Sequence, residues 1–457
     1  MQDFLSRVKT ALTGGADTPL VLLGNFEVED QWAEGEAGLP RTGFRSSAAV
    51  VNRMDEFAVL LAGAGDHVVL KAAPDEAYLA HLDELGVALP GVLTVAGNDP
   101  EQTVTRDALA DPALLATLGE LAGRGAMLSP HGTSVLEEEL AQRSGLPLAS
   151  PPAALCKAVN SKIYSRRAAD DAGLRQVAGW TADTLAELES AVEEARSLLT
   201  FGRRVVVKDA FGVSGKGIAV IENGERLDRL HGMIRRRAAK SGDDRVSLLI
   251  EEWVDKRADL NYQFTVARDG SVHFDFVKEA ITEGGVHKGH RIPAGLDERQ
   301  TGEVEKSARV LGERLAADGF HGVVGVDAMV DPDGRLYPVI EINARNNMST
   351  YQVRMQETFI ADGQVALARQ YPLRLSRRLP YERLRRVLDG LLLAGPGGSG
   401  LLVNNFATVN AGAREERGGS FDGRLYGLLL ADNQDRLTVL DTEIAGRLAA
   451  ETEGSAR

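Results

Sequence analysis

An α/β architecture of several domains is what this sequence predicts, and three observations carry it. Over residues 1–150 short apolar runs alternate with amphipathic stretches. Between Arg204 and Ile221 a glycine-rich loop separates two β-branched runs, and from Gly325 to Arg345 a strand, a turn and a second strand present polar residues at every other position. At 457 residues the chain is long enough for two to four cores.

In the first 150 residues the strands read Leu20–Gly24, Val68–Leu70, Val92–Val95 and Ala126–Leu128. Helical patterns fall over 46–62, near 75–85 and from Thr133. Alternation of this kind predicts an open, mostly parallel sheet, in which ligands sit beyond the carboxyl ends of the strands. Two loops lie there: Gly24–Glu27 with Glu29 and Asp30, and Ser129–Ser134. The acidic first loop could face a cationic group of a substrate or simply be solvated. The second could hold a carboxylate at a helix N-terminus or be an ordinary cap. No GxGxxG follows the first strand, which argues against a dinucleotide.

From Pro151 a helix is expected to about Ala172, closed by Gly173, and another over 184–199. Strands are expected from Arg204 to Val220 and near 247–254, 260–268 and 272–279, with helices near 225–240 and over 297–317. After the polar hairpin the pattern suggests a helix near 349–370 and a basic helical segment near 382–394. A strand-rich piece, 401–457, then reads as a separate small module.

Composition excludes much. The net charge of −14 speaks against nucleic acid or an anionic membrane as partner. No run is apolar enough to span a bilayer, and the N-terminus lacks the signal-peptide pattern, so a cytoplasmic location is expected. The lone cysteine, Cys156, rules out intrachain disulfides and reads as a small buried hydrophobe. A homodimer is expected on general grounds alone.

The polar hairpin is the most informative motif. Side chains alternate along a strand, so Glu341, Asn343 and Arg345 share one face. With a two-residue turn at Asp333-Gly334, ladder counting sets Asp327 opposite Ile340. A bulge at Pro338, which cannot donate to the ladder, would bring it opposite Glu341. Two carboxylates and an amide oxygen there suit Mg²⁺. Taken alone, the hairpin reads equally as an ordinary hairpin with a solvated polar face.

Upstream, Phe211-Gly212-Val213-Ser214-Gly215-Lys216-Gly217 does not fit GxxxxGK[ST], because Gly212 stands too close to Gly215 and Lys216 is followed by Gly217. Such a loop can lay backbone N–H groups over phosphates or be a flexible turn. Lys208, ending a Val-Val-Val run, is poorly placed for solvent and calls for an anion. Lys162 lies on a helix, where exposure is the default. Glu251-Glu252-Trp253-Val254 ends an apolar strand and Asp259 follows.

In this order, a helix lysine, a strand lysine, a glycine-rich hairpin, Glu-Glu-Trp-Val and Asp…Glu-x-Asn-x-Arg, residues Pro151 to Gln370 resemble the ATP-grasp superfamily of carboxylate–amine ligases. In its full-length layout the chain resembles most the pheganomycin-type peptide ligases. The resemblance implies two α+β subdomains (151–250 and 251–390) clamping ATP, after an open α/β domain (1–150) and before a small C-terminal α/β module (391–457). It implies that Lys162 and Lys208 contact ATP phosphates beneath Ser214, Gly215, Lys216 and Gly217. Glu251, Glu252, Trp253 and Val254 would meet adenine, Asp259 the ribose, and Asp327, Glu341 and Asn343 the Mg²⁺.

Arg345 is expected to stabilise the transferring phosphoryl group or the tetrahedral oxyanion, and Arg291, within His287-Lys288-Gly289-His290-Arg291, to bind phosphate or carboxylate bidentately. Two departures stand out: Asp259 where Glu is common, and no Pro-Gly after Asn343, which disfavours dipeptide-forming cell-wall activity. The activity implied is ligation of a small, non-proteinogenic amino acid to a peptide amino terminus through an acyl phosphate, in peptide antibiotic biosynthesis. A small-molecule phosphotransferase and a non-catalytic nucleotide sensor are the alternatives. Residues 401–457 could be a lid over a long nucleophile or a dimerisation surface.

Overall fold

The computed structural model describes residues 3–39, 48–97, 99–212, 217–283, 286–413 and 419–454. The strands are β1 (Leu20–Leu23), β2 (His67–Leu70), β3 (Gly91–Thr94), β4 (Met127–Pro130), β5 (Gly179–Thr184), β6 (Arg204–Asp209), β7 (Ile218–Ile221) and β8 (Arg245–Trp253). They continue with β9 (Ala258–Val266), β10 (Val272–Glu283), β11 (Val286–Ile292), β12 (Gly322–Val330), β13 (Leu336–Asn343), β14 (Val365–Leu375), β15 (Gly400–Asn405) and β16 (Phe421–Ala431).

The first four strands form a parallel sheet of order β3-β2-β1-β4. β1 is buried on both faces, which its unbroken Leu-Val-Leu-Leu run requires. Strands β5 to β8 form an antiparallel sheet of order β5-β8-β6-β7. Its core lies against the helices Leu185–Thr200 and Gly224–Ser241, where Leu188, Val192, Leu227 and Ile234 meet Val205, Val207 and Ile250. The remaining strands form one eight-stranded sheet of order β13-β12-β9-β10-β11-β14-β16-β15. The helix Glu298–Ala317 lays Val304, Ala308, Leu311 and Leu315 on Tyr262 and Phe264 of β9. Each such fully buried side chain contributes roughly 1.5–3 kcal/mol.

The helix expected through Ala172 is two helices, Ala153–Val159 and Lys162–Asp171, because Ser161 caps the second by accepting from the N–H groups of Ile163 and Tyr164. The helix expected over 349–370 is confined to Val353–Phe359, after a 3-10 turn at Thr350–Gln352, and β14 takes its C-terminal part from Val365. β14 pairs with β11 on one side and β16 on the other, so partner strands distant in sequence override a helical pattern. Segment 401–457 supplies β15, β16 and the helix Gln434–Gly454. Its strands continue the large sheet across β14 rather than forming a sheet of their own, and their leucines share a core with Phe4, Phe57 and Tyr78 of the N-terminal region. Among the described residues no helix is long and apolar enough to cross a membrane.

Candidate active site

The polar hairpin is built as two strands of the large sheet, with Asp327 of β12 directly opposite Glu341 of β13. The register arrives differently from the two-residue turn considered above. Residues 331–335 form the connection, with Val330 paired to Leu336 and Met329 to Tyr337. Pro338, Val339 and Ile340 then sit across from Ala328, so the irregularity at the proline absorbs two residues rather than one.

Asp327 is held by Asn261 of β9, whose Nδ2 donates to it at 2.9 Å, and by Asn343 Nδ2 at 3.3 Å. Burial, reinforced by the neighbouring Glu341 carboxylate, pushes its pKa up to about 6. Asn261 Oδ1 beside it is buried with no hydrogen-bond partner. Two neighbouring carboxylates and an orphaned amide oxygen are a hard-oxygen set, which fits a divalent cation such as Mg²⁺. Among the described residues no cluster of three or more His, Cys, Asp or Glu side chains forms a complete cage, and Mg²⁺ bound with a nucleotide needs none, since phosphates and waters supply further ligands.

Lys162, expected to be exposed, is buried at the start of its helix. Its ammonium donates to Glu341 at 2.6 Å and to the carbonyl of Gly212 at 3.0 Å, linking the base of the glycine-rich loop to β13. Burial alone would lower its pKa, but the carboxylates of Glu341 and Glu29 outweigh it and hold the pKa up. Lys208 donates to Glu251 at 2.6 Å, and Arg166 reaches the same carboxylate at 3.3 Å. Glu251 thus seats a lysine and an arginine, which differs from the adenine contact expected of it.

A cleft of about 730 Å³ opens between the central and large sheets. Lys208, Glu251, Glu252 and Trp253 of the central sheet line it with Val254, and so do Asp259, Asp327, Glu341 and Asn343 of the large sheet with Arg345. Trp253 ends β8, so Val254 to Arg257 is the link between the sheets. Apolar lining from Val206, Leu260, Ala280 and Met329 lies near that link. Glu252 is paired with Arg203, and Asp259 with Lys256 and Thr282. Gly217, with φ +75°, sits where a Cβ would come within 2.5 Å of the Asp209 carboxylate, so glycine is required at the base of the loop. Ser214, Gly215 and Lys216 lie outside the described residues.

Arg291 is not brought to this cleft. His287 to Arg291 forms part of β11 rather than a loop, and Arg291 pairs across the strands with Glu279, its Nη1 donating at 2.6 Å. Alternation puts His290 on the cleft face and Arg291 on the other, and His290 lines the cleft with His287. Burial lowers the pKa of both imidazoles, His287 to about 4. The Ser129–Ser134 loop resolves as a cap: Ser134 forms a capping box with Glu137. Cys156 is buried, its thiol pushed up to about 12 by burial.

Several site residues were missed. Asn261 belongs to Asp259-Asn261-Gln263-Thr265, a period-2 polar face on β9 that was legible in the sequence. Arg166 and the partnership of Glu29 with Arg345, both side chains 12% exposed, had no local signal.

Residues 54–146 match the family described as Pre ATP-grasp domain, and residues 161–373 match the Carbamoyl-phosphate synthase L chain, ATP binding domain. A [Butirosin acyl-carrier protein]--L-glutamate ligase from Niallia circulans is 27% identical over 325 residues, covering 71% of each chain. Pyruvate carboxylase 1 from Caenorhabditis elegans is 25% identical over 218 residues, 45% of this chain and 17% of that protein. In fold the chain is similar to an N5-carboxyaminoimidazole ribonucleotide synthetase solved with ADP (TM-score 0.52, 14% identity, 96% of this chain and 98% of that one). It is also similar to a biotin carboxylase from Campylobacter jejuni (TM-score 0.53, 13% identity, 92% and 89%). Fold and site together define an ATP-grasp enzyme. The chain belongs to the ATP-grasp ligase superfamily.

Proposed function

We propose that this protein joins the carboxylate of a small amino acid to the amino group of a peptide, with conversion of ATP to ADP and phosphate, in the biosynthesis of a peptide antibiotic. The observation that carries the reading is that Lys208, Asp327, Glu341, Asn343 and Arg345 line one cleft, with Lys162 buried behind Glu341 and bonded to it. Lys208 and the Asp327–Glu341 carboxylate pair line a space large enough for a nucleotide and a second substrate.

A carboxylate oxygen attacks the γ-phosphorus of ATP, forming an acyl–O–P bond as the P–O bond to ADP breaks. The amine nitrogen then attacks the acyl carbon, the C–O bond breaks, and phosphate leaves as the nitrogen gives up a proton. Lys162 and Lys208 neutralise phosphate charge, and their carboxylate partners hold each ammonium in place before ATP arrives. Arg345 stabilises charge on the transferring phosphoryl group or the oxyanion. Asp327, Glu341 and Asn343, with Asn261 supporting Asp327, would hold Mg²⁺, which when bound neutralises phosphate oxygens. The apolar lining by Leu260, Ala280 and Met329 suits the adenine ring.

A second reading concerns only the acceptor. The 27% identity over 71% of the chain to a ligase named for an acyl-carrier protein and L-glutamate favours an acceptor group presented on a carrier. Both are tested by measuring ADP release with Mg²⁺, an amino acid panel and hydroxylamine. A hydroxamate formed in step with ADP supports acyl phosphate formation. ADP with a phosphorylated, non-hydroxamate product would overturn it in favour of a phosphotransferase. Peptide amines and carrier-bound acceptors, compared in place of hydroxylamine, separate the two readings.

A further inference from the structure

The short helix Val28–Trp32 carries Glu29 to the cleft wall beside the carboxylate pair. Val28 and Trp32 are buried, and Trp32 Nε1 donates to the carbonyl of Thr133 at 3.0 Å, so the helix is fixed and Glu29 with it. Among the described residues the Glu29 carboxylate has one polar partner, the Nη2 of Arg345. Arg345 is held in turn by Asn343 Oδ1 at 3.0 Å and the carbonyl of Asn346 at 2.9 Å, while its Nε is buried with no partner. An oriented carboxylate and an oriented guanidinium therefore meet on the cleft wall, and the guanidinium keeps one buried N–H without a partner.

We infer that Glu29 and Arg345 form a divided receptor for a zwitterionic amino acid: Arg345 takes the substrate carboxylate and Glu29 its ammonium group. The inference rests on the ligase reading above and names what selects the acid. On binding, the two protein charges exchange one another for the complementary charges of the ligand, so no unpaired charge is left in the cleft. A carboxylic acid without the amine would take Arg345 and leave the Glu29 carboxylate with only Lys162, already bonded to Glu341, as a nearby cation and with the nucleotide phosphates close by, which costs free energy. Discrimination thus arises from a repulsion built against the wrong acid as well as from a new contact. The arrangement also protects the chemistry, because an ammonium held on Glu29 stays protonated and cannot attack the activated carboxyl group of a second amino acid.

The test compares acids matched except for the amine: glycine with acetate, L-alanine with propionate, and L-phenylalanine with 3-phenylpropionate. ADP release is read with Mg²⁺, ATP and hydroxylamine. A charge-assisted contact of this kind corresponds to about a 10- to 100-fold preference in kcat/KM for the amino acid of the best-used pair. In Glu29→Gln that preference should fall to within about threefold, and Glu29→Asp should retain part of it. Equal use of both acids by the wild-type enzyme overturns the inference, as does an unchanged preference in Glu29→Gln. Calorimetric titration of the same pairs into enzyme with Mg²⁺ and ADP reads the receptor without turnover. Preferential amino acid binding there, with no ADP release from any acid, would sink the ligase reading and leave the receptor standing. Equal or absent binding of both acids overturns the receptor whatever the activity.

Discussion

Replacing Glu251 by Gln removes the one carboxylate that serves both Lys208 and Arg166, at 2.6 and 3.3 Å. All three side chains are close to buried, with exposures of 6%, 12% and 9% for Glu251, Lys208 and Arg166. Deleting one partner of a buried pair costs about 3–5 kcal/mol. Two features reduce that here: Arg166 keeps Asp170 and the carbonyl of Val177, and Lys208 lines the cleft where water can reach it. A loss of about 2–3 kcal/mol follows. Urea unfolding followed by tryptophan fluorescence reads this directly, since Trp180 and Trp253 both lie in the central sheet. The double variant Lys208→Met/Glu251→Leu should recover more than about 1 kcal/mol relative to the sum of its single variants, because it leaves fewer buried charges uncompensated. A Glu251→Gln protein within about 0.5 kcal/mol of wild type, at an unchanged urea dependence, would refute the reasoning. So would a double variant that shows no coupling.

Asp327→Asn and Glu341→Gln should each reduce ADP release by about 10³-fold or more; near-normal turnover in either removes that residue from the metal-binding set. Arg291→Ala should change activity by less than about threefold, whereas Arg345→Ala should abolish it, because Arg291 is committed to Glu279 on the far face of the sheet; the same ADP assay decides. Burial raises the Glu27 carboxyl from its ordinary 4.5 to about 8. Folded protein therefore holds a proton that the unfolded chain has released, and stability should fall as pH rises from about 4.5 to 8. Thermal unfolding at pH 6 and pH 9 should show a smaller difference for Glu27→Gln than for wild type, and an equal difference would exclude Glu27 as a contributor. Deleting residues 400–457 removes β15 and β16, leaves β14 unpaired on that side and strips leucines from the core shared with Phe57 and Tyr78. The truncated chain should fail to fold, as circular dichroism would report. A folded truncate that lost only peptide-dependent activity would restore the idea of a separable lid.

Much of the fold was local and therefore readable. The four short apolar runs became the parallel sheet, and the helices expected over 184–199, near 225–240 and over 297–317 form at 185–200, 224–241 and 298–317, where Thr184, Asn223 and Asp297 cap them. Alternation alone put Glu341, Asn343 and Arg345 on one face, and Pro338 announced the irregularity that sets Asp327 opposite Glu341. The order of lysines, glycines and carboxylates along the chain carried the resemblance to ATP-grasp enzymes, and that resemblance proposed which residues meet a nucleotide.

What the sequence could not decide depended on partners far away in the chain. Val365–Leu375 became a strand because β11 and β16 stand ready on both sides of it, and no local propensity contains that information. Arg291 was misplaced because strand register, not residue type, chooses the face a guanidinium takes. Exposure was the default for a lysine on a helix, yet Lys162 is buried because Glu341, 179 positions later, supplies its counter-charge. The pairing of Glu29 with Arg345, 316 residues apart, arises only when the N-terminal sheet docks on the large one. Sequence thus settled which chemical groups the protein has and the period at which they recur. Tertiary structure settled which of them share a low-dielectric space, because burial and opposite charge act through distance in space rather than along the chain.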